Sequence, residues 1–292
     1  MHPTLSAVKT QLKAMGSDFF EVGLFNPAPE RAEPIMILRA WSAETLVRSV
    51  PWLCYENRRG RNIYVRPKGE HNVSLVDDLK APDVRSMKNA GFAPALVVET
   101  SPGNFQAWVK HHKPLSKEIG TAAARELARR FGGDLGAADW RHFGRLSGLT
   151  NRKEKYRNSE TGLYPFVLLQ EASGAVYPEA ERFVASVESA VQRLHQEQAR
   201  TIAVYSRKPV ANTAIKTIDE FRSDPRYDGD GTRIDLAYAV YALGHGVGTD
   251  DVRAALRSRN LSHKGNERRQ NDYVERTTRK ALDTVLGVGR GR

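Results

Sequence analysis

Two adjacent aspartates, Asp77 and Asp78, close the apolar run NVSLVDDL (72–79). Carboxylates this close repel one another, so one takes up a proton unless a cation or hydrogen bonds hold both ionised. A divalent cation such as Mg²⁺ would do so, because it binds carboxylate oxygens together with substrate phosphates. Side chains alternate along a strand, which groups Asp77 with Val73 and Leu75, and Asp78 with Ser74 and Val76. The two can meet at one ion only if the strand ends or bulges, and Leu79-Lys80-Ala81-Pro82 reads as a strand exit. The alternative is a pair that caps the following helix or is simply solvated.

Two further stretches carry chemistry. In ETSPGNFQAWVK (99–110), Pro102-Gly103 fits the centre of a type II turn, which makes the stretch a hairpin. On its second strand Gln106, Trp108 and Lys110 share one face, and Phe105, Ala107 and Val109 the other. Trp108 is expected to pack inside, and Gln106 to act at a site. In GGDLGAADWRHFGRLSGLTNRKEKYR (132–157), Asp134 follows two glycines in a loop. Asp139 suits the N-cap of a helical turn that would set Arg141, His142 and Arg145 on or near one face. Asn151, Arg152 and Lys153 follow Gly148. Cations interleaved with glycines and an asparagine point to phosphate binding more than to a solvated charged face.

The elements that would position these residues are short strands alternating with helices. FFEVGLF (19–25), PIMILRAW (34–41), NIYVRP (62–67), NVSLVDDL, PALVVETS (94–101), NFQAWVK and YPFVLLQE (164–171) read as strands. MHPTLSAVKTQLKAMG reads as an amphipathic helix through Leu5, Val8, Leu12 and Met15. Ser42 suits the N-cap of a second helix, and a third runs from about Leu115 to Phe131, with Ile119, Ala122, Leu127 and Phe131 on one face. The expected fold class is α+β, a mixed or antiparallel sheet flanked by helices, with a long helix from about 178 and a small α-helical bundle after it. The expected domains are 1–205, a linker at 206–214, and the bundle at 215–292.

A net charge of +11 favours a polyanionic partner. The N-terminus does not read as a signal peptide, no apolar run is long enough to span a bilayer, and the single cysteine, Cys54, excludes an internal disulfide. A cytoplasmic monomer that does not engage a membrane is expected.

VSLVDDL, VVETSPGNFQAWVK and DWRHFGRLSGLTNRK, in that order, resemble the RepB-type primases of mobilisable broad-host-range plasmids, within the archaeo-eukaryotic primase superfamily. The resemblance is strongest from about Trp41 to Gln170 and continues more faintly to DYVERTTRKAL (272–282). It implies a DNA primase in which Asp77, Asp78 and Asp134 hold Mg²⁺ or Mn²⁺, and a helical domain that helps recognise single-stranded template at an origin-associated initiation site. It departs from the wider superfamily in having adjacent acids and in placing Gln106 where a histidine is usual. On this reading Gln106, Arg141, His142, Arg145, Asn151 and Lys153 contact the nucleoside triphosphate, His142 in its protonated form. Lys110, Arg152, Arg268, Arg269 and Arg276 contact DNA. One rival is a non-catalytic origin-binding replication protein. Another is a relaxase, which would need a separated histidine triad and an early tyrosine, whereas His111 and His112 are adjacent and the first tyrosine is Tyr55.

Overall fold

The structure, a computed structural model, describes residues 3–26, 36–207 and 215–285, without the side chains of 198, 199 and 201–207. The chain divides into two compact units, Met1–Val191 and Gln192–Arg292. The stretch 206–214, read above as a linker, lies from 208 onward outside the described residues.

The first unit holds α1 (Pro3–Met15), β1 (Phe19–Phe25), β2 (Met36–Ser42), α2 (Ala43–Arg48), α3 (Val50–Arg58), β3 (Asn62–Pro67), β4 (His71–Leu79), α4 (Ala81–Asn89), β5 (Leu96–Ser101), β6 (Asn104–Leu115), α5 (Lys117–Phe131), β7 (Gly144–Arg145) and β8 (Leu168–Glu171). The helix α6 (Ala180–Arg207) begins in it. Its strands form two sheets, ordered β2-β1-β3-β7 and β4-β6-β5-β8, in which every pairing is antiparallel. The second sheet is buried on both faces, and alternation along its strands sorts side chains between two cores. Val73, Leu75 and Trp108 pack with α1, α2, α3 and the first sheet. Val76, Ala107 and Val109 pack with α4, α5 and the first turns of α6. Burial on both faces fits the four consecutive buried residues Val73–Val76 in β4 and Gln106–Val109 in β6.

Sequence periodicity locates most of these elements. FFEVGLF is β1 residue for residue. Ser42 caps α2 by accepting the Thr45 N–H at 3.1 Å. The buried face of α5 is Gly120, Ala123, Ala124, Leu127, Ala128 and Phe131, with Ile119 and Ala122 only partly covered. One expectation fails: Arg141, His142 and Arg145 do not lie on a helical face. Asp139 caps a single tight turn, accepting the Arg141 N–H at 2.8 Å, and the chain then enters β7 to pair Arg145 with Tyr64 and Gly144 with Val65. Gly144 makes that strand possible. A Cβ there would lie 2.5 Å from Cζ2 of buried Trp108, so only glycine lets β7 lie against the indole.

The second unit contains α7 (Ile218–Arg222), α8 (Gly231–Gly244), α9 (Thr249–Arg257) and α10 (Glu267–Val285). Leu243, Val252, Leu256, Val274 and Leu282 form its core. Inside it, fully buried Asp235 accepts hydrogen bonds from the Arg259 guanidinium and the Tyr273 hydroxyl. Arg259, itself only partly covered, is thus committed to an ion pair with a buried carboxylate. No helix among the described residues is long and apolar enough to cross a membrane.

Candidate active site

The β4–β6 register supplies what the acidic pair needs. Val76 lies opposite Ala107 and Leu79 opposite Phe105, so Asp77 and Asp78 together face the single residue Gln106. Two residues against one is a β-bulge, and bulges re-aim side chains next to functional sites. Asp78 takes up the extra residue with φ +59°, in the left-handed region rarely entered by residues other than glycine. Both aspartates consequently line one cavity of about 550 Å³, which also admits Asp134. Neither caps α4, whose N-terminus is closed by Lys80 and Asp83.

Asp134 arrives from the end of α5. Gly132 (φ +75°) closes the helix, and Gly133 passes so near β4 that a Cβ would sit 2.5 Å from Val76 Cγ1 and 3.1 Å from the Asp77 carbonyl oxygen. That approach lets the Asp134 N–H donate to the Asp77 carbonyl at 3.1 Å. The Asp134 carboxylate also accepts the Gly136 N–H at 2.8 Å.

Around Asp77 the hydrogen bonds interlock. Gln106 is buried; its Oε1 accepts the Arg145 N–H at 2.8 Å, and its side chain favours the charged form of Asp77. His142 Nε2 lies 3.6 Å from Asp77 Oδ2, and the Asp78 N–H donates to Asp77 Oδ1 at 2.7 Å. Burial pushes the Asp77 carboxyl up, but hydrogen bonds from His142, the Asp78 N–H and Gln106 outweigh it and hold the carboxyl below its ordinary value. Asp77 is thus held in its charged form by its neutral and basic neighbours.

The same cavity also carries basic side chains. Arg145 is buried, bonded to the Asn62 side chain and stacked 4.5 Å from the centre of the Tyr64 ring. Among the described residues it has no carboxylate ion-pair partner, which leaves a desolvated positive charge in the wall. Arg141 and Lys153 are exposed at the rim. Asn151 is buried and mainly fastens the loop, donating to the Thr100 carbonyl at 2.8 Å and accepting the Lys153 N–H at 3.3 Å.

The structure brings Asp77, Asp78, Gln106, Asp134, Arg141, His142, Arg145, Asn151 and Lys153 to one cavity, and leaves Lys110 and Arg152 outside it. Lys110 Nζ donates to the Ala14 carbonyl at the end of α1 (3.2 Å), and Arg152 Nη2 to the Arg58 carbonyl (2.5 Å). Arg269 and Arg276 line a separate groove of about 480 Å³ in the second unit, with Lys264 and Arg279, while Arg268 is exposed beside it in sequence. Sequence reasoning missed Tyr64, Arg66, Asn104, Lys155 and Tyr156, which also line the cavity. Arg66 pairs with Glu21, bonds the Arg141 carbonyl and stacks on Phe143, so it holds the turn that carries His142. Its position beside Tyr64 in a strand offered no signal until β7 was known to pair there.

The donor set suits a divalent cation by its chemistry. It offers three carboxylates, and Asp78 and Asp134 are exposed and form no ion pair among the described residues. Among those residues no three acidic, histidine or cysteine side chains already stand close enough to hold an ion, so binding one must draw the carboxylates together.

Two antiparallel sheets flanked by helices carry this acid-lined cavity, and two solved structures that share the fold at more than 30% identity are primases. The chain belongs to the RepB DNA-primase family, whose N-terminal domain matches residues 34–194. Over 96% of its length it is 34% identical to Mobilization protein A of Escherichia coli, of which it spans 40%. It is 27% identical to a DNA primase of Acidithiobacillus ferrooxidans, covering 85% of this chain and 75% of that one. The crystal structure of primase RepB′ superposes with a TM-score of 0.63 at 32% identity, covering 99% of this chain and all of that one. The catalytic domain of primase RepB′, solved in complex with initiator DNA, gives 0.61 at 38% identity, covering 67% of this chain and 99% of that one.

Proposed function

We propose that this chain is a DNA primase that synthesises primers on single-stranded template at a plasmid replication initiation site. The observation that carries this reading is the bulge at Asp77-Asp78, which turns both carboxylates into the cavity that Asp134 also lines. Membership of the RepB family supports it, as does the solved complex of a relative with initiator DNA.

In this reading Asp77, Asp78 and Asp134 hold Mg²⁺ or Mn²⁺. Bound there, such ions would acidify the attacking 3′-hydroxyl and offset the charge that develops on the pyrophosphate leaving group. The residues of the chain do the rest. Gln106 and His142 keep Asp77 ionised and oriented. Arg141 and Lys153 meet the triphosphate at the rim, and the buried Arg145 guanidinium supplies a fixed positive field that water cannot screen. The 3′-oxygen forms its bond to the α-phosphorus as the bond to pyrophosphate breaks. Arg268, Arg269 and Arg276 contact template phosphates from the helical unit. Lys110 and Arg152 contact DNA outside the cavity, with Arg152 held beside the rim by the Arg58 carbonyl. The chain acts as a monomer in the cytoplasm.

Asp134→Ala and Asp77→Ala are each expected to abolish incorporation of labelled nucleotides with Mg²⁺ or Mn²⁺, while circular dichroism and binding to single-stranded DNA stay near wild type. Primer synthesis at the normal rate by either variant would remove the carboxylates from the mechanism.

A further inference from the structure

Beyond the cavity, the outer face of α3 carries large aromatic side chains that the core does not use. Trp52 is 38% exposed and Tyr55 53%, although the same helix buries Leu53, Glu56 and Asn57. A spacing of three puts the two rings on one face of the helix. The Arg59 guanidinium lies over the Tyr55 ring, 5.5 Å from its centre. Arg58 is exposed beside them, and buried Glu56 steadies Arg59 and Arg61 from beneath.

This face is fastened to the cavity rim. Asn57 grips Thr150, donating to its carbonyl and accepting its N–H, each at 2.9 Å. Arg152 bonds the Arg58 carbonyl and stacks on Tyr164, 4.5 Å from the ring centre. Thr150 bridges to Phe166, which is 59% exposed. Asn151 and Lys153, on the same segment, line the cavity. Exposed rings interleaved with arginines therefore run from the rim across residues 150–152 to the last turns of α3.

We propose that this strip binds the single-stranded template outside the catalytic cavity, with bases stacking on Trp52, Tyr55 and Phe166 and phosphates meeting Arg58 and Arg59. It rests on the primase reading for the identity of the strand. Exposed aromatic rings alone would suit a protein partner equally. The cations set between them, and their continuity with a cavity suited to phosphates, favour a nucleic-acid strand, because each base offers a π-face whatever its identity. Stacking of this kind is indifferent to sequence, so the strip would hold template without selecting it.

The test measures binding of fluorescent oligothymidylates of increasing length to the full chain and to two variants. One is Trp52→Leu/Tyr55→Ser. The other is Tyr55→Ser/Arg58→Gln/Arg59→Gln, which spares the edge-to-face contact of Trp52 with Trp41. Affinity for long oligomers is expected to fall by about tenfold or more in both variants, with affinity for the shortest oligomers unchanged. The arginine variant should also flatten the dependence on salt, by about 0.7 in the log–log slope for each phosphate contact removed. Wild-type affinity for long oligomers in both variants, or an equal loss at every length, would overturn the proposal. A wild-type chain that binds with this length dependence but makes no primers would overturn the primase reading and leave the strip standing.

Discussion

At the scale of single residues, the site depends on how few atoms hold Asp77. Gln106 is the clearest case: its oxygen is held by the Arg145 N–H, and its side chain helps to keep the Asp77 carboxyl below its ordinary value. Because it favours the charged form of Asp77, its removal should act on metal binding as well as on any contact it makes with nucleotide. Gln106→Leu should raise the Mg²⁺ concentration needed for half-maximal incorporation by about 10- to 100-fold. An unchanged metal requirement would make Gln106 merely structural. Elsewhere in this unit, buried His111 hydrogen-bonds Ser74 Oγ (2.8 Å) and the Tyr177 hydroxyl (3.0 Å). Burial first, then the nearby His112 and His71, push its pKa down to about 4. Between that value and the unfolded value of about 6.5, the unfolded chain binds a proton that the folded chain refuses. Stability is therefore full above about pH 6.5 and falls by up to about 3 kcal/mol as pH drops towards about 4. Denaturant titrations at both ends of that window should show the loss in wild type and a smaller one in His111→Gln; identical slopes would refute the assignment. The residue types of the site were legible in the sequence, since acids, cations and glycines in three ordered stretches already implied phosphate chemistry. The partners of Asp77 were not, because Gln106 and His142 reach it only through pairings that no local pattern encodes.

At the scale of elements, strand alternation in β4 stated the difficulty and the bulge resolved it. An unbroken strand would have sent Asp77 and Asp78 to opposite faces. The need for an irregularity could be read from the sequence, but its position opposite Gln106 could not, because register is a property of two strands. The turn at 139–143 was misread for a related reason. Asp139 is a good capping residue, yet pairing of Gly144 and Arg145 with β3, against Trp108, overrides the local preference for helix. Gly133 is the element-scale residue most open to test. A methyl group there must displace the Val76 side chain and crowds the Asp77 carbonyl that accepts the Asp134 N–H. Gly133→Ala should lower stability by about 1–3 kcal/mol and reduce nucleotide incorporation well beyond the fraction unfolded. Normal activity in a variant this strained would show that the close approach does not set the site.

At the scale of the whole molecule, the charge of +11 is shared unevenly by role. In the first unit, basic residues line the same cavity as the acids. In the second, Arg259 is spent internally on Asp235, and Arg253 pairs with Asp250 and Glu275, while Lys264, Arg269, Arg276 and Arg279 remain on a groove. A count of basic residues in the tail could not separate these groups, since the distinction lies in which helix faces pack. What unites the molecule is the convergence of two remote chain segments on one cavity, and soaking crystals with Mn²⁺ and a nucleoside triphosphate tests it most directly. Anomalous density bonded to carboxylate oxygens of Asp77, Asp78 and Asp134 is expected. Density absent from that cavity, or held by other residues, would contradict it.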